Sequence, residues 1–98
     1  MNKIFETEVF SKLCKDSDKT IQLWVEKVKD QLAVNLFIGK PLHFEWFREK
    51  KFGSWRVFSI INKNHNLALL VSLGKKKDQQ KIIDHIILNK EYYFRLVS

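Results

Sequence analysis

The spacing of apolar residues changes in the middle of this chain, and that change most constrains its fold. Between residues 21 and 32 the apolar positions recur at helical intervals, at Ile21, Trp24, Val25, Val28 and Leu32. After the turn residues Gly39-Lys40-Pro41 the pattern alternates, with Leu42, Phe44 and Trp46 on one face. The chain is therefore predicted to pass from helices into a sheet, which is typical of an α+β domain.

The remaining elements follow from short apolar segments and turn residues. A first strand is expected at residues 2–6, and a helical hairpin over Thr7–Val34. Strands are expected at 42–47, 55–61 and 67–73, with a charged hairpin loop at 48–54 and a last helix from residue 82. The apolar tail, 91–97, should lie along the sheet edge or on the hairpin. We predict one domain, 1–98, in which the helical hairpin packs on one face of a small antiparallel sheet of three to four strands, followed by a C-terminal helix.

The net positive charge of the chain lies in its second half. Residues 1–47 hold seven lysines and seven acids, whereas residues 48–98 hold eleven Lys and Arg against four acids, which accounts for the whole net charge of +7. A segregated excess of this kind favours a polyanionic partner or an acidic protein partner, although many small proteins are basic only for solubility. The run Lys75-Lys76-Lys77 precedes the predicted last helix, where a bound phosphate would offset cations that oppose the helix dipole. A solvated charge run is the alternative.

Several classes of site have no support in the sequence. The three histidines, His43, His65 and His85, lie in different elements without ligands at metal-binding spacing, so no metal and no cofactor is expected. The single cysteine, Cys14, excludes an internal disulfide and is expected to be buried. No apolar run reaches the ~18 residues of a membrane span and no signal peptide is recognisable, so we expect a cytoplasmic protein without a membrane partner.

One arginine lies among apolar residues of a predicted strand. Arg56 shares a strand face with Phe58 and Ile60, and because an unpaired buried charge is costly, it must be paired or exposed. Two interpretations stay open: an ion pair with Glu45 or Glu49, or an exposed functional site on an open sheet face. The neighbouring loop holds the basic residues Arg48, Lys50 and Lys51. Aromatic residues alternate with them, namely Trp46, Phe47, Phe52 and Trp55. These rings either stack nucleic-acid bases or belong to the core.

Three motifs together resemble the central signature of RelE/ParE-type toxins. These are the turn Gly39-Lys40-Pro41-Leu42, the segment Phe47-Arg48 followed by Gly53-Ser54-Trp55-Arg56-Val57-Phe58, and the strand 67–73 with its exit Gly74-Lys75-Lys76. The resemblance covers about residues 39–88. It implies a RelE-like fold and a ribosome-associated, metal-independent endonuclease that cuts mRNA and is neutralised by an acidic antitoxin.

The resemblance also assigns roles to residues. Arg56 matches the arginine that stabilises the phosphate, Lys76 the basic residue after the last strand, and Arg48 the arginine that closes the second strand. Phe44 and Trp46 stand where RelE members have catalytic lysines, and Ile82 stands in place of a tyrosine, so Lys50 or Lys51 would have to substitute. The predicted catalytic residues are Arg48, Lys51, Arg56 and Lys76, and the predicted RNA-binding residues are Lys50, Lys51, Lys75, Lys76, Lys77 and Lys81.

Two alternatives to a nuclease remain. A non-catalytic member of the same fold, like the ParE-type gyrase inhibitors, would bind a protein target. A plain nucleic-acid-binding module would use the basic half without chemistry.

Overall fold

A computed structural model describes residues 1–98, which form five strands and four α-helices. The strands are β1 (Lys3–Glu6), β2 (Lys40–Leu42), β3 (Phe44–Phe52), β4 (Trp55–Asn62) and β5 (Leu67–Lys75). The helices are α1 (Glu8–Lys15), α2 (Lys19–Val34), α3 (Gln79–Leu88) and α4 (Lys90–Val97), and single 3₁₀ turns lie at Lys63–His65 and Lys76–Asp78. None of the helices is long and apolar enough to cross a membrane.

The strands form one mixed sheet in the order β1-β5-β4-β3-β2. All neighbouring pairs are antiparallel except β1 and β5, which run parallel. The α+β class and the helical hairpin are as predicted, but the sheet has five strands instead of three or four and is not purely antiparallel. Edge pairing of the short N-terminal strand with β5 depends on contacts about 64 residues apart, for which local sequence carries no signal.

Helices cover both faces of the sheet. The hairpin α1–α2 packs on one face through Phe10, Trp24 and Val28, against the sheet residues Val57 and Leu70. The second face is covered by α3 and α4, whose buried residues Ile83, Ile86, Tyr93 and Val97 join Phe47, Phe58, Ile60, Leu69 and Val71. The predicted helical stripe of α2 and the packing of the hairpin on one face are confirmed. The tail, expected along the sheet edge or on the hairpin, instead forms α4 and packs with α3 on the second face.

The strand β3 is longer than the sequence pattern predicted. It continues through the predicted charged loop as far as Phe52, and the chain turns only at Gly53, which has a φ of +58°. The predicted strand at 42–47 is also interrupted at His43, whose φ is +65°. The charged stretch reads as a loop because strand interiors are usually apolar, whereas here Arg48 and Glu49 find buried partners.

Candidate nucleic-acid interface

Basic residues from three segments meet at one end of the sheet. In the register of β3, β4 and β5, Lys51 lies opposite Arg56, which lies opposite Gly74. The N–H of Lys76 donates to the carbonyl of Ser54 at 2.7 Å, which ties the exit of β5 to the β3–β4 turn. Charges far apart in sequence are therefore neighbours in space.

We call this region the basic end and define it by the side chains of Lys50, Lys51, Lys75, Lys76, Lys77 and Lys81. Lys50 is half-buried and the other five are exposed. Lys75 and Lys81 line an open groove of ≈ 500 Å³ together with Asp78. Glu49 lies beside these lysines in sequence and space, but its side chain is fully buried, so it presents little negative charge at the surface. The arrangement attracts an extended anion.

The exit of β5 leads into the N-terminus of α3 through the 3₁₀ turn Lys76–Asp78. No side chain caps α3, and no acidic residue lies in its first turn. The N-cap position is Asp78, whose side chain makes no capping bond, and Lys75, Lys76 and Lys77 directly precede it. Amide groups without a side-chain cap beside three lysines favour phosphate.

Arg56 lies beneath the basic end and not on its surface. The residue is only 5% exposed, because α3 covers this face of the sheet. Its Nη1 donates to the carbonyls of Gly53 and Trp55, both at 2.8 Å. Its Nε lies 3.8 Å from Oε1 of Glu49, and Nε2 of Gln79 donates to the other oxygen of that carboxylate. The expected open sheet face is wrong, and the alternative, an ion pair with Glu49, is what the structure contains; Glu45 is not the partner.

Arg48 is also buried, and it joins parts of the backbone. Its guanidinium donates four hydrogen bonds, of 2.9–3.2 Å, to the carbonyls of Phe37, Ile38, Gly39 and Glu45. The ring of Phe37 lies 5.4 Å from the guanidinium carbon. Since these bonds engage most of its donors, Arg48 holds the loop between α2 and β2 and presents no free N–H face to a phosphate at the basic end.

Aromatic residues fill the opposite end of β3. Phe44 stacks on Trp46 with ring centroids 4.8 Å apart, and Trp46 meets Phe94 edge-on at 4.7 Å. At the basic end, Ile82 packs over Gly74, where an added Cβ would overlap its side chain. The three positions at which this sequence departs from the RelE pattern are therefore occupied by apolar packing.

The structure brings together six of the predicted residues and separates two. The lysines lie at one end of the sheet, with Lys50 and Lys51 on opposite faces of β3, whereas Arg48 and Arg56 lie in buried networks. Sequence reasoning missed Gln79, which is the second partner of Glu49. Only its position after the lysine run could have drawn attention to it. No group of three His, Cys, Asp or Glu side chains lies close enough to hold a metal ion.

Comparison with solved structures identifies the fold. A chain of the intact E. coli RelBE toxin–antitoxin complex superposes with a TM-score of 0.69 at 15% identity, over 76% of this chain and 96% of that chain. The isolated E. coli RelE toxin gives a TM-score of 0.69 at 13% identity, over 88% and 99%. The RelB–RelE complex from Methanococcus jannaschii gives 0.57 at 17% identity, over 80% and 96%. No family model and no curated protein matches the sequence itself. The chain has the RelE-like toxin fold, as the three motifs predicted.

Proposed function

We propose that this chain, as a single domain of residues 1–98, is the toxin of a toxin–antitoxin pair and acts on RNA held at its basic end. The observation that carries the proposal is the meeting of six lysines at one end of the sheet of a RelE-like fold, on both of its faces: Lys50, Lys51, Lys75, Lys76, Lys77 and Lys81. Neutralising phosphates with clustered lysines releases counterions, which is the main source of affinity for nucleic acid. The substrate we propose is mRNA on the ribosome, which places the protein in the cytoplasm.

The chemistry we propose is metal-independent cleavage by the ribose 2′-OH. In-line attack on the adjacent phosphate needs a base, an acid for the leaving oxygen and cations for the developing charge. Lys51 lies directly opposite Arg56, and Lys76 follows by two residues Gly74, the partner of Arg56 on β5. Both lysines are exposed, and they are the residues we assign to this step. Arg56 supports them from below, where it holds the carbonyls of the turn. Arg48 receives no role in the reaction, because its donors are engaged.

The partner we propose is an acidic antitoxin. RelB accompanies RelE in the two complexes of the same fold, and a surface with six lysines attracts carboxylates as well as phosphates. An acidic segment on the basic end would exclude RNA by occupying the same charges.

One set of observations favours a second candidate, a non-catalytic member that binds its target without cutting. Phe44 and Trp46 belong to an aromatic cluster where RelE members are expected to carry lysines, and both buried arginines are engaged. The basic end would then serve binding alone.

Induced expression separates these functions. Growth arrest with mRNA cleavage supports the nuclease, and arrest with intact mRNA supports the non-catalytic member. Lys76→Ala is expected to lower cleavage by about 10²–10³-fold. Lys63→Ala is the matched control, since Lys63 is an exposed lysine in the turn between β4 and β5, at the other end of those strands. A wild-type chain that neither arrests growth nor cuts mRNA on translating ribosomes would overturn the proposal.

A further inference from the structure

One aromatic ring at the basic end is exposed and held rigidly from below. Phe52, the last residue of β3, is 44% exposed. Its ring stacks on the ring of Trp24 with centroids 5.2 Å apart and planes 23° apart. Trp24 is a residue of α2 that packs in the core and is only 8% exposed. The phenyl ring is therefore supported by a buried partner and still presents area to solvent.

The space around this ring is open. The next residue, Gly53, forms the tip of the turn, and a Cβ added there would meet no atom within 4 Å. Across the strands Phe52 is opposite Trp55, whose ring is covered by the ammonium group of Lys75 at 5.5 Å from its centroid. Of the two rings in this row, Trp55 is engaged by a cation, whereas Phe52 is stacked on Trp24 and has no cation over it.

We propose that Phe52 stacks a nucleobase of single-stranded RNA whose phosphates lie on the basic end. This inference rests on the proposed function and adds a contact to the bases. Aromatic rings beside a cationic groove bind single strands in this way, because every base has a face to stack while its backbone follows the charges. A paired base in a duplex is already stacked on both sides, so the contact selects single strands.

The neighbours of Phe52 favour a base over an apolar protein segment. The ring is flanked along the chain by Lys50, Lys51, Gly53 and Ser54, so neither its strand nor the turn adds a second apolar anchor beside it. A docking helix needs anchors repeated over several turns, whereas one base needs one flat ring with cations beside it.

The test compares two single-stranded oligomers with equal numbers of phosphates. One is a 2′-O-methyl RNA, which cannot be cleaved by its own 2′-oxygen, and the other has the same backbone with abasic positions. Wild type is expected to bind the base-bearing strand about 5- to 150-fold more tightly. Phe52→Ala should remove this preference and leave the salt dependence unchanged, and Phe52→Tyr should keep it. Phe5→Ala is the matched control. Phe5 is 51% exposed, but it lies on β1, an edge strand separated from β3 by β5 and β4.

The outcomes distinguish the inference from the function on which it rests. If wild type binds neither strand in a salt-dependent manner, the proposed function fails. If it binds both strands equally, or if Phe52→Ala keeps the preference, only the stacking inference fails. An equal loss of affinity for RNA and for polyglutamate in Phe52→Ala would show that the ring contacts polyanions without bases, and would also overturn it.

Discussion

Removing the guanidinium of Arg56 is expected to destabilise the protein strongly. Its partner Glu49 has a fully buried side chain, and the Arg56 side chain is 7% exposed. Arg56→Ala would leave the carboxylate of Glu49 with only the amide of Gln79 as a polar partner. The carbonyls of Gly53 and Trp55 would lose their donor as well.

The magnitude follows from the burial of the pair. Breaking a buried ion pair by removing one partner costs about 3–5 kcal/mol, a large part of the ~5–15 kcal/mol by which a domain of this size is stable. For a chain of 98 residues, each kcal/mol lowers Tm by about 4–8 °C. The expected fall in Tm is therefore about 12 °C or more. If Arg56 lay on an open sheet face, Arg56→Ala would lose function and keep the stability of the wild type. The buried geometry predicts a loss of stability instead.

Urea unfolding followed by circular dichroism measures the effect. The matched control is Lys51→Ala, which removes the exposed cation directly opposite Arg56 and should change stability by less than about 0.5 kcal/mol. The double variant Glu49→Leu/Arg56→Met removes both charges and keeps apolar volume, so it should regain most of the lost stability. Together with the single variants Glu49→Leu and Arg56→Met, it completes a double-mutant cycle that gives the coupling between the two side chains.

The reasoning would be refuted by either of two results. Arg56→Ala as stable as Lys51→Ala would mean that the ion pair contributes nothing to the fold. A double variant less stable than both single variants would mean that each charge stabilises the fold through groups other than its partner in the ion pair.

Three further predictions concern other parts of the molecule. Replacing Lys75, Lys76 and Lys77 together by Ala should reduce the slope of log K against log salt for single-stranded RNA by about 2, and an unchanged slope would exclude these lysines from the interface. Gly39→Ala should lower the free energy of unfolding by more than ~1 kcal/mol, because Gly39 has a φ of +77° and an added Cβ would overlap the backbone oxygen of Glu49. Gly53→Ala should lower it less, because Gly53 also has a positive φ but the space around it is open. Equal urea midpoints for the two variants would contradict this. Burial raises the pKa of the Cys14 thiol, so its thiolate forms at a higher pH than in a free cysteine. Alkylation by iodoacetamide at about pH 8 should therefore be slower in the folded protein than in urea. Equal rates would show that burial does not protect the thiol.

The candidate site was only partly predictable from sequence. The pattern placed Arg56 on the same strand face as Phe58 and Ile60, and the residues that pack on that face confirm it. Whether the face was open could not be predicted, because the cover comes from α3 and α4, and the tail gave no clear signal for a helix. Arg48 and Glu49 were assigned to a loop for a related reason. Arg48 bonds carbonyls of the turn that precedes β3, and Glu49 bonds the amide of Gln79, 30 residues away in sequence; no local apolar pattern records either contact.

Sequence alone determined what is local. Residue order alone predicts the apolar stripe of α2, the buried strand β5 and the location of the net positive charge in residues 48–98. The direction of a side chain relative to its own helix or strand depends on local backbone geometry, which repeats with a known period. Only the tertiary structure decided that β1 pairs parallel with β5 and that helices cover both faces. It also decided that lysines distant in sequence meet at one end of the sheet while the arginines beside them are buried. These features depend on contacts between residues far apart in the chain, and no short pattern records which distant element will cover a given face.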